Sequence, residues 1–142
     1  MTICTHSRRC ILGDVIQGAF RPNAAGRAVK ECWYELPHHY AGVGLDAFAV
    51  MPNHVHGVIG FLDPVGAGFK PALRRRTLSE VVRAFKTFSG RRINEQRGEA
   101  GVAVWQRGFY EHIVRNEKSL SEIRRYIAGN PRNWETDPEN LF

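Results

Sequence analysis

The sequence predicts an α+β fold of the ferredoxin-like kind: a βαββαβ antiparallel sheet with helices on one face, plus a C-terminal helix. Three observations predict it. VGLDAFAVM and HVHGVIGF, within residues 43–61, are two β-prone apolar runs joined by the turn formers Pro52 and Asn53, as in a hairpin. Stretches with apolar residues at helical spacing precede and follow that hairpin. A further β-rich run, VWQRGFYEHIVR, then leads into a last helical stretch, so the order reads β-α-β-β-α-β-α. At 142 residues the chain is expected to form one domain, long enough to bury a core.

ICT, residues 3–5, opens a short β-prone run that continues loosely through CIL at 10–12. Asn23 can cap a helix, because its side chain satisfies a free N–H of the first turn. Ala25, Ala28, Val29, Cys32, Trp33 and Leu36 follow at helical spacing, and Pro37 is expected to stop the helix, which gives residues 24–36. After the hairpin, LDPVGAGFKPA has two Gly, two Pro and no period, so residues 62–76 read as a flexible loop. Thr77, with Glu80 three residues on, forms a capping box. Leu78, Val81, Val82, Phe85 and Phe88 then make an apolar stripe. Residues 104–115 read as a strand with a bend or bulge at Gly108. SLSEIRRYIAGNP is the last helix, ended by Pro131, which pushes its preceding residue out of the helical region. The tail, RNWETDPENLF, is expected to dock through Trp134.

Composition narrows the function classes. Apolar residues make up 43% and charged residues 24%, the mixture of a soluble globular protein. No run approaches the roughly 20 apolar residues of a membrane span, and MTICTHSRRC lacks a signal-peptide core, so the cytoplasm is the expected location. Cys4, Cys10 and Cys32 include no CxxC pair, which argues against a disulfide framework or thiolate zinc site. Net charge is +6, from 20 basic and 14 acidic residues. Residues 70–97 hold nine Lys/Arg against only Glu80 and Glu95, so the excess lies in one segment. A basic segment of this kind suits a polyanion such as nucleic acid, or else forms a solvated helix face.

Two arrangements carry chemistry. In a strand, residues i and i+2 share a face, so His54 and His56 sit side by side and Val55 points away. Neutral imidazoles are common ligands for divalent metals, so the pair is either half a metal site or a pair of structural histidines. Position 58 is Val58, not the Asp or His that two other HxH families place there. In the last helix Leu120, Ile123 and Ile127 form a core stripe. Tyr126 and Asn130, one turn apart, share its edge. They are either a nucleophile and a metal ligand, or a boundary tyrosine and a C-cap.

VMPNHVHGVI, a basic amphipathic helix, VWQRGFYEHIVRNE and RRYIAGNPRNW, in that order, resemble one family along nearly the whole chain. It is the single-tyrosine HUH (histidine, hydrophobe, histidine) transposases, the insertion-sequence-200-like group. The closest likeness is to the REP-associated tyrosine transposase branch. The resemblance implies a metal-dependent endonuclease and strand transferase acting on single-stranded DNA with a hairpin, such as a palindromic repeat. It implies Mg²⁺ or Mn²⁺ held by His54, His56 and Asn130, with Tyr126 as the nucleophile that forms a 5′-phosphotyrosine. Arg74, Arg75, Arg76, Arg83, Lys86, Arg91 and Arg92 would then follow the DNA backbone, and His112 would line its groove. Tyr110, the rival tyrosine, lacks an amide at i+4 and is read as a packing residue. Relatives of the branch carry more residues ahead of TIC, so the first strand is expected to be short. The branch acts as a monomer more than as the homodimer of mobile relatives. The alternative is a non-catalytic nucleic-acid-binding protein on the same fold.

Overall fold

A computed structural model describes residues 1–62 and 77–140. Its strands are β1 (Thr2–Cys4), β2 (Gly13–Ile16), β3 (Ala19–Pro22), β4 (Val43–Val50) and β5 (His54–Phe61). Its helices are α1 (Ala24–His39), α2 (Leu78–Arg97) and α3 (Glu117–Gly129), with 3₁₀ turns at His6–Arg8 and Asn130–Thr136. The main sheet has the order β1-β5-β4, antiparallel throughout. Beyond β1, Thr5 bridges Trp105 and Thr2 bridges Tyr110, both antiparallel. The spatial order, from residues 104–110 through β1 and β5 to β4, is that of a ferredoxin-like sheet, with α3 as the added helix.

The core forms between the sheet and the helices α1 and α2. Val55 turns into it from β5 and is fully buried with Val29, Trp33, Leu36, Val81 and Phe85. Trp33 stacks on Phe48 at 4.2 Å and meets Phe85 edge-on at 5.9 Å. The indole lies so close to Gly57 that any β-carbon there would press into its ring. The strand that carries the histidines therefore needs a glycine one residue beyond His56. Asn23 and the Thr77–Glu80 box cap α1 and α2 as expected.

Five local expectations need correction. The first strand stops at Cys4. The 3₁₀ turn follows, and residues 10–12 are irregular, with the Leu12 N–H donated to the Pro52 carbonyl at 3.0 Å. An unforeseen hairpin, β2–β3, precedes α1; its loop residues Gln17 and Gly18 have φ of 51° and 71°, as a tight primed turn requires. Pro37 does not stop α1, which runs to His39. So near the end, proline removes little of the hydrogen-bond ladder, and the Tyr40 N–H still reaches the Leu36 carbonyl at 2.9 Å. Asn130 keeps helical angles (φ −56°, ψ −44°) despite the following proline, and the chain tightens into 3₁₀ geometry.

The fifth concerns residues 104–115, which form two isolated bridges and no continuous strand. Between the bridges β1 has two residues and the outer segment four, so two extra residues bulge outward. The freed carbonyls of Gln106, Arg107 and Gly108 accept from the Lys86 ammonium at 2.9, 3.4 and 2.7 Å. The flexible loop expected at 62–76 lies, from residue 63 on, outside the described residues, as do Arg74, Arg75 and Arg76.

Candidate metal and nucleophile site

His54 and His56 project from β5 on the face opposite Val55, away from α1 and α2. Their Nε2 atoms are 3.0 Å apart. Each ring is held from behind. His54 Nδ1 lies 2.8 Å from Asn53 Oδ1. The fully buried Asn53 amide donates through Nδ2 to the carbonyls of Glu139 (2.7 Å) and Arg8 (3.2 Å), which fixes its oxygen toward the imidazole. An amide oxygen only accepts, so the His54 proton sits on Nδ1 and Nε2 presents a lone pair. His56 Nδ1 is 2.8 Å from Thr2 Oγ1. A hydroxyl can donate or accept, so His56 is free to exchange tautomers. With no ion, His56 Nε2–H donates to His54. With its proton moved to Nδ1, both Nε2 lone pairs converge on one point.

Burial pushes both imidazoles down, His54 to about 3 and His56 to about 4, so both are neutral near pH 7. The neighbouring His56 and Arg8 add to the effect on His54, whereas Asp137 opposes it on His56. Two cis ligands about 2.1 Å from an octahedral ion stand about 3 Å apart, so the observed spacing fits such an ion. Asp137, buried, brings Oδ2 to 3.9 Å from His54 Nε2. One ligand atom from each of His54, His56 and Asp137 lies within 4.8 Å of the others.

α3 approaches the same face over β4. The Tyr126 ring meets the His56 ring at 5.3 Å, tilted by 69°, and is 53% exposed. Partial burial raises its phenol above the usual range. The Asp137 charge adds to this, while the Asn130 amide favours the phenolate. Asn130 is buried, and its Oδ1 has no hydrogen-bond partner. A buried amide oxygen without a donor is costly, and a bound cation would satisfy it.

The structure thus brings His54, His56 and Tyr126 together and sets Asn130 beside Tyr126. The described residues of α2 expected to meet DNA are elsewhere. α2 lies across the sheet from the histidines, with Arg83 and Arg91 exposed. On α2, Lys86 donates to the bulge carbonyls, and Arg92 reaches Glu31 and Glu35 of α1 at 3.4 and 3.1 Å. His112 is exposed and lines an open groove with Glu111, Ile113 and Arg115 at the start of α3. Tyr110 is 67% exposed, which overturns the packing role read from its strand. Sequence reasoning missed Asp137, Asn53 and Thr2. Asn53 and Thr2 adjoin readable features, the turn and the first strand. Asp137, in an aperiodic tail, gave no signal beyond its docking Trp134, whose ring centre is 6.1 Å from that of His54.

The described residues contain no helix long and apolar enough to cross a membrane. A REP-associated tyrosine transposase, solved bound to a REP hairpin, superposes with a TM-score of 0.58 at 21% identity. The match covers 92% of this chain and 63% of that one, so this chain spans somewhat under two thirds of it. An uncharacterised protein of Haemophilus influenzae is 35% identical over 148 residues, covering 96% of this chain and 81% of the relative. The family profile described as "Transposase IS200 like" matches residues 3–130. On that match, which takes in both histidines, Tyr126 and Asn130, the chain belongs to the IS200-like transposase family.

Proposed function

We propose that this protein is a metal-dependent single-stranded DNA endonuclease and strand transferase of the REP-associated branch, with Tyr126 as its nucleophile. The observation that carries the reading is Tyr126 held against His56, whose Nε2 lies 3.0 Å from that of His54. His54, His56 and Asn130 would hold Mg²⁺ or Mn²⁺, with Asp137 as a further carboxylate beside them. Bound there, a divalent ion neutralises charge on the scissile phosphate and eases loss of the phenol proton. A phenol titrates near 10 in water, and here it is raised, so such help is needed.

The chain's residues do the rest. Asn53 and Thr2 orient the two imidazoles, and the Asn130 amide favours the phenolate. Tyr126 Oη attacks phosphorus. The Oη–P bond forms, the P–O3′ bond breaks, and the phenol proton passes through solvent to the departing 3′ oxygen. The products are a 5′-phosphotyrosine and a free 3′-OH. One ester replaces another, so the strand can be rejoined without ATP. One chain supplies both histidines, Asn130 and Tyr126, so a monomer carries a whole site. The substrate is single-stranded DNA bearing a hairpin, and the exposed Arg83 and Arg91 remain candidate backbone contacts.

The test uses a labelled hairpin oligonucleotide from the gene's flanking sequence, with Mn²⁺ or Mg²⁺, on a denaturing gel. A protein–DNA adduct that is lost in Tyr126→Phe and without metal supports the reading. Binding without an adduct under any metal condition would favour the non-catalytic alternative.

A further inference from the structure

Tyr110 is an exposed aromatic whose backbone is bonded to β1. Its N–H donates to the Thr2 carbonyl at 2.9 Å and its carbonyl accepts from the Thr2 N–H at 2.8 Å. Thr2 is in turn the direct partner of His56, and His56 of Ala49. Residues directly opposite in an antiparallel sheet share a face. Ala49, His56, Thr2 and Tyr110 therefore form one row on the metal-site face. Thr2 shows that face independently, because its hydroxyl touches His56. Thr2 and Tyr110 exchange both backbone bonds, so Thr2 and His56 are the closer, non-bonded kind of pair. Two such steps put Tyr110 about 10 Å from His56, Cα to Cα.

Among the described residues, other parts of this face are covered. α3 packs over β4, and Asp137 and Trp134 stand beside His54. On the far side of Thr2 the Tyr110 ring is 67% exposed, and Ile113 near it is 71% exposed. A strand whose phosphate reaches His56 would cross this edge. A rigid, solvent-facing aromatic beside a phosphate site is the means by which proteins hold single-stranded bases without reading them.

We infer that Tyr110 is a stacking platform for a DNA base flanking the phosphate attacked by Tyr126. This rests on the proposed function and deepens it. Tyr110 is a positioning residue, not a nucleophile, and what it needs is an aromatic face and not a hydroxyl.

The two ideas are separable by experiment. The probe is a fluorescein-labelled hairpin oligonucleotide from the flanking sequence, with single-stranded arms containing 5-iodouracil, in Mn²⁺ buffer. Binding is read by anisotropy, base contact by photocrosslinking and peptide mapping, and chemistry by the covalent adduct. Tyr110→Ala is expected to weaken binding about 5- to 160-fold, the range of one base–aromatic stack. Tyr110→Phe and Tyr110→Trp should stay near wild type in binding and in adduct formation. The crosslink should map to Tyr110. Because Tyr110 is exposed, the Ala variant should fold, and an unchanged melting midpoint checks that. Unchanged binding by Tyr110→Ala, with crosslinks elsewhere and a normal Tyr126 adduct, overturns the stacking role and leaves the proposed function standing. A Tyr110→Phe variant that loses the adduct overturns both assignments, and so does a wild type that neither binds nor reacts.

Discussion

Asn53 and Thr2 set the chemistry of the two imidazoles more than either histidine does alone. Asn53→Leu removes the acceptor that keeps the His54 proton on Nδ1. Groups of this kind cost about 10- to 100-fold in metal affinity when lost, and Mn²⁺ titration by calorimetry would show that drop while Tyr126→Phe stays near wild type. The imidazoles also set a pH dependence. Their folded values, about 3 and about 4, lie below the ordinary 6.5 or so of an unfolded chain. The unfolded state therefore binds more protons between those limits. Their contribution is fully present above about pH 6.5 and is lost as pH falls toward 4 and 3. The slope is at most about 1.4 kcal/mol per pH unit per histidine. Urea unfolding of the metal-free protein at pH 7.5 and 4.5 should show the loss, and His54→Gln should flatten it. The histidine pair was legible because strand alternation is a local rule. Asp137 was not, because its place depends on a tail that folds back over β5.

At the scale of elements, the tyrosine helix is lightly anchored. Ile127 is its only buried residue among those described. Its other hold is polar. The Arg124 guanidinium donates to both oxygens of Asp46, at 2.8 and 2.6 Å, and pulls that carboxyl down to about 2. Asp46 lies in a β4 bulge, where Asp46 and Ala47 stand opposite the single Val58, and bulges serve to re-aim side chains. Asp46→Ala should raise hydrogen exchange in α3 and slow adduct formation several-fold, with the sheet unchanged. The swap Asp46→Arg with Arg124→Asp should recover part of the rate. On the other face, Gly57→Ala should cost about 1–3 kcal/mol by overpacking against Trp33, read as a lower urea midpoint. The Thr77–Glu80 box and α1's apolar spacing were readable because both act within a few residues. The bulge at Gly108 was readable too, but the break of that strand into two isolated bridges was not, because the carbonyls it frees are satisfied by Lys86 from a distant helix. The β2–β3 hairpin was missed because Gln17 is not a usual residue for positive φ.

At the scale of the whole molecule, the described residues form three layers: α1 with α2, the sheet, and α3 with the tail. This arrangement separates α2's basic residues from the metal face, which charge counting alone could not show. The element order and hairpin made the fold class legible, since each connection of such a sheet follows from the last. What was not legible is which surface the metal-site face leaves open to a proposed DNA strand. The proposed chemistry joins Tyr126, on α3, covalently to DNA. Trypsin separates the two rival tyrosines, because Arg125 directly precedes Tyr126 and Arg107 and Arg115 bracket Tyr110. The direct measurement is mass spectrometry of tryptic peptides after incubation with hairpin DNA and Mn²⁺, followed by nuclease trimming. A nucleotide mass is expected on the peptide YIAGNPR, residues 126–132. The same mass on GFYEHIVR, residues 108–115, would contradict it.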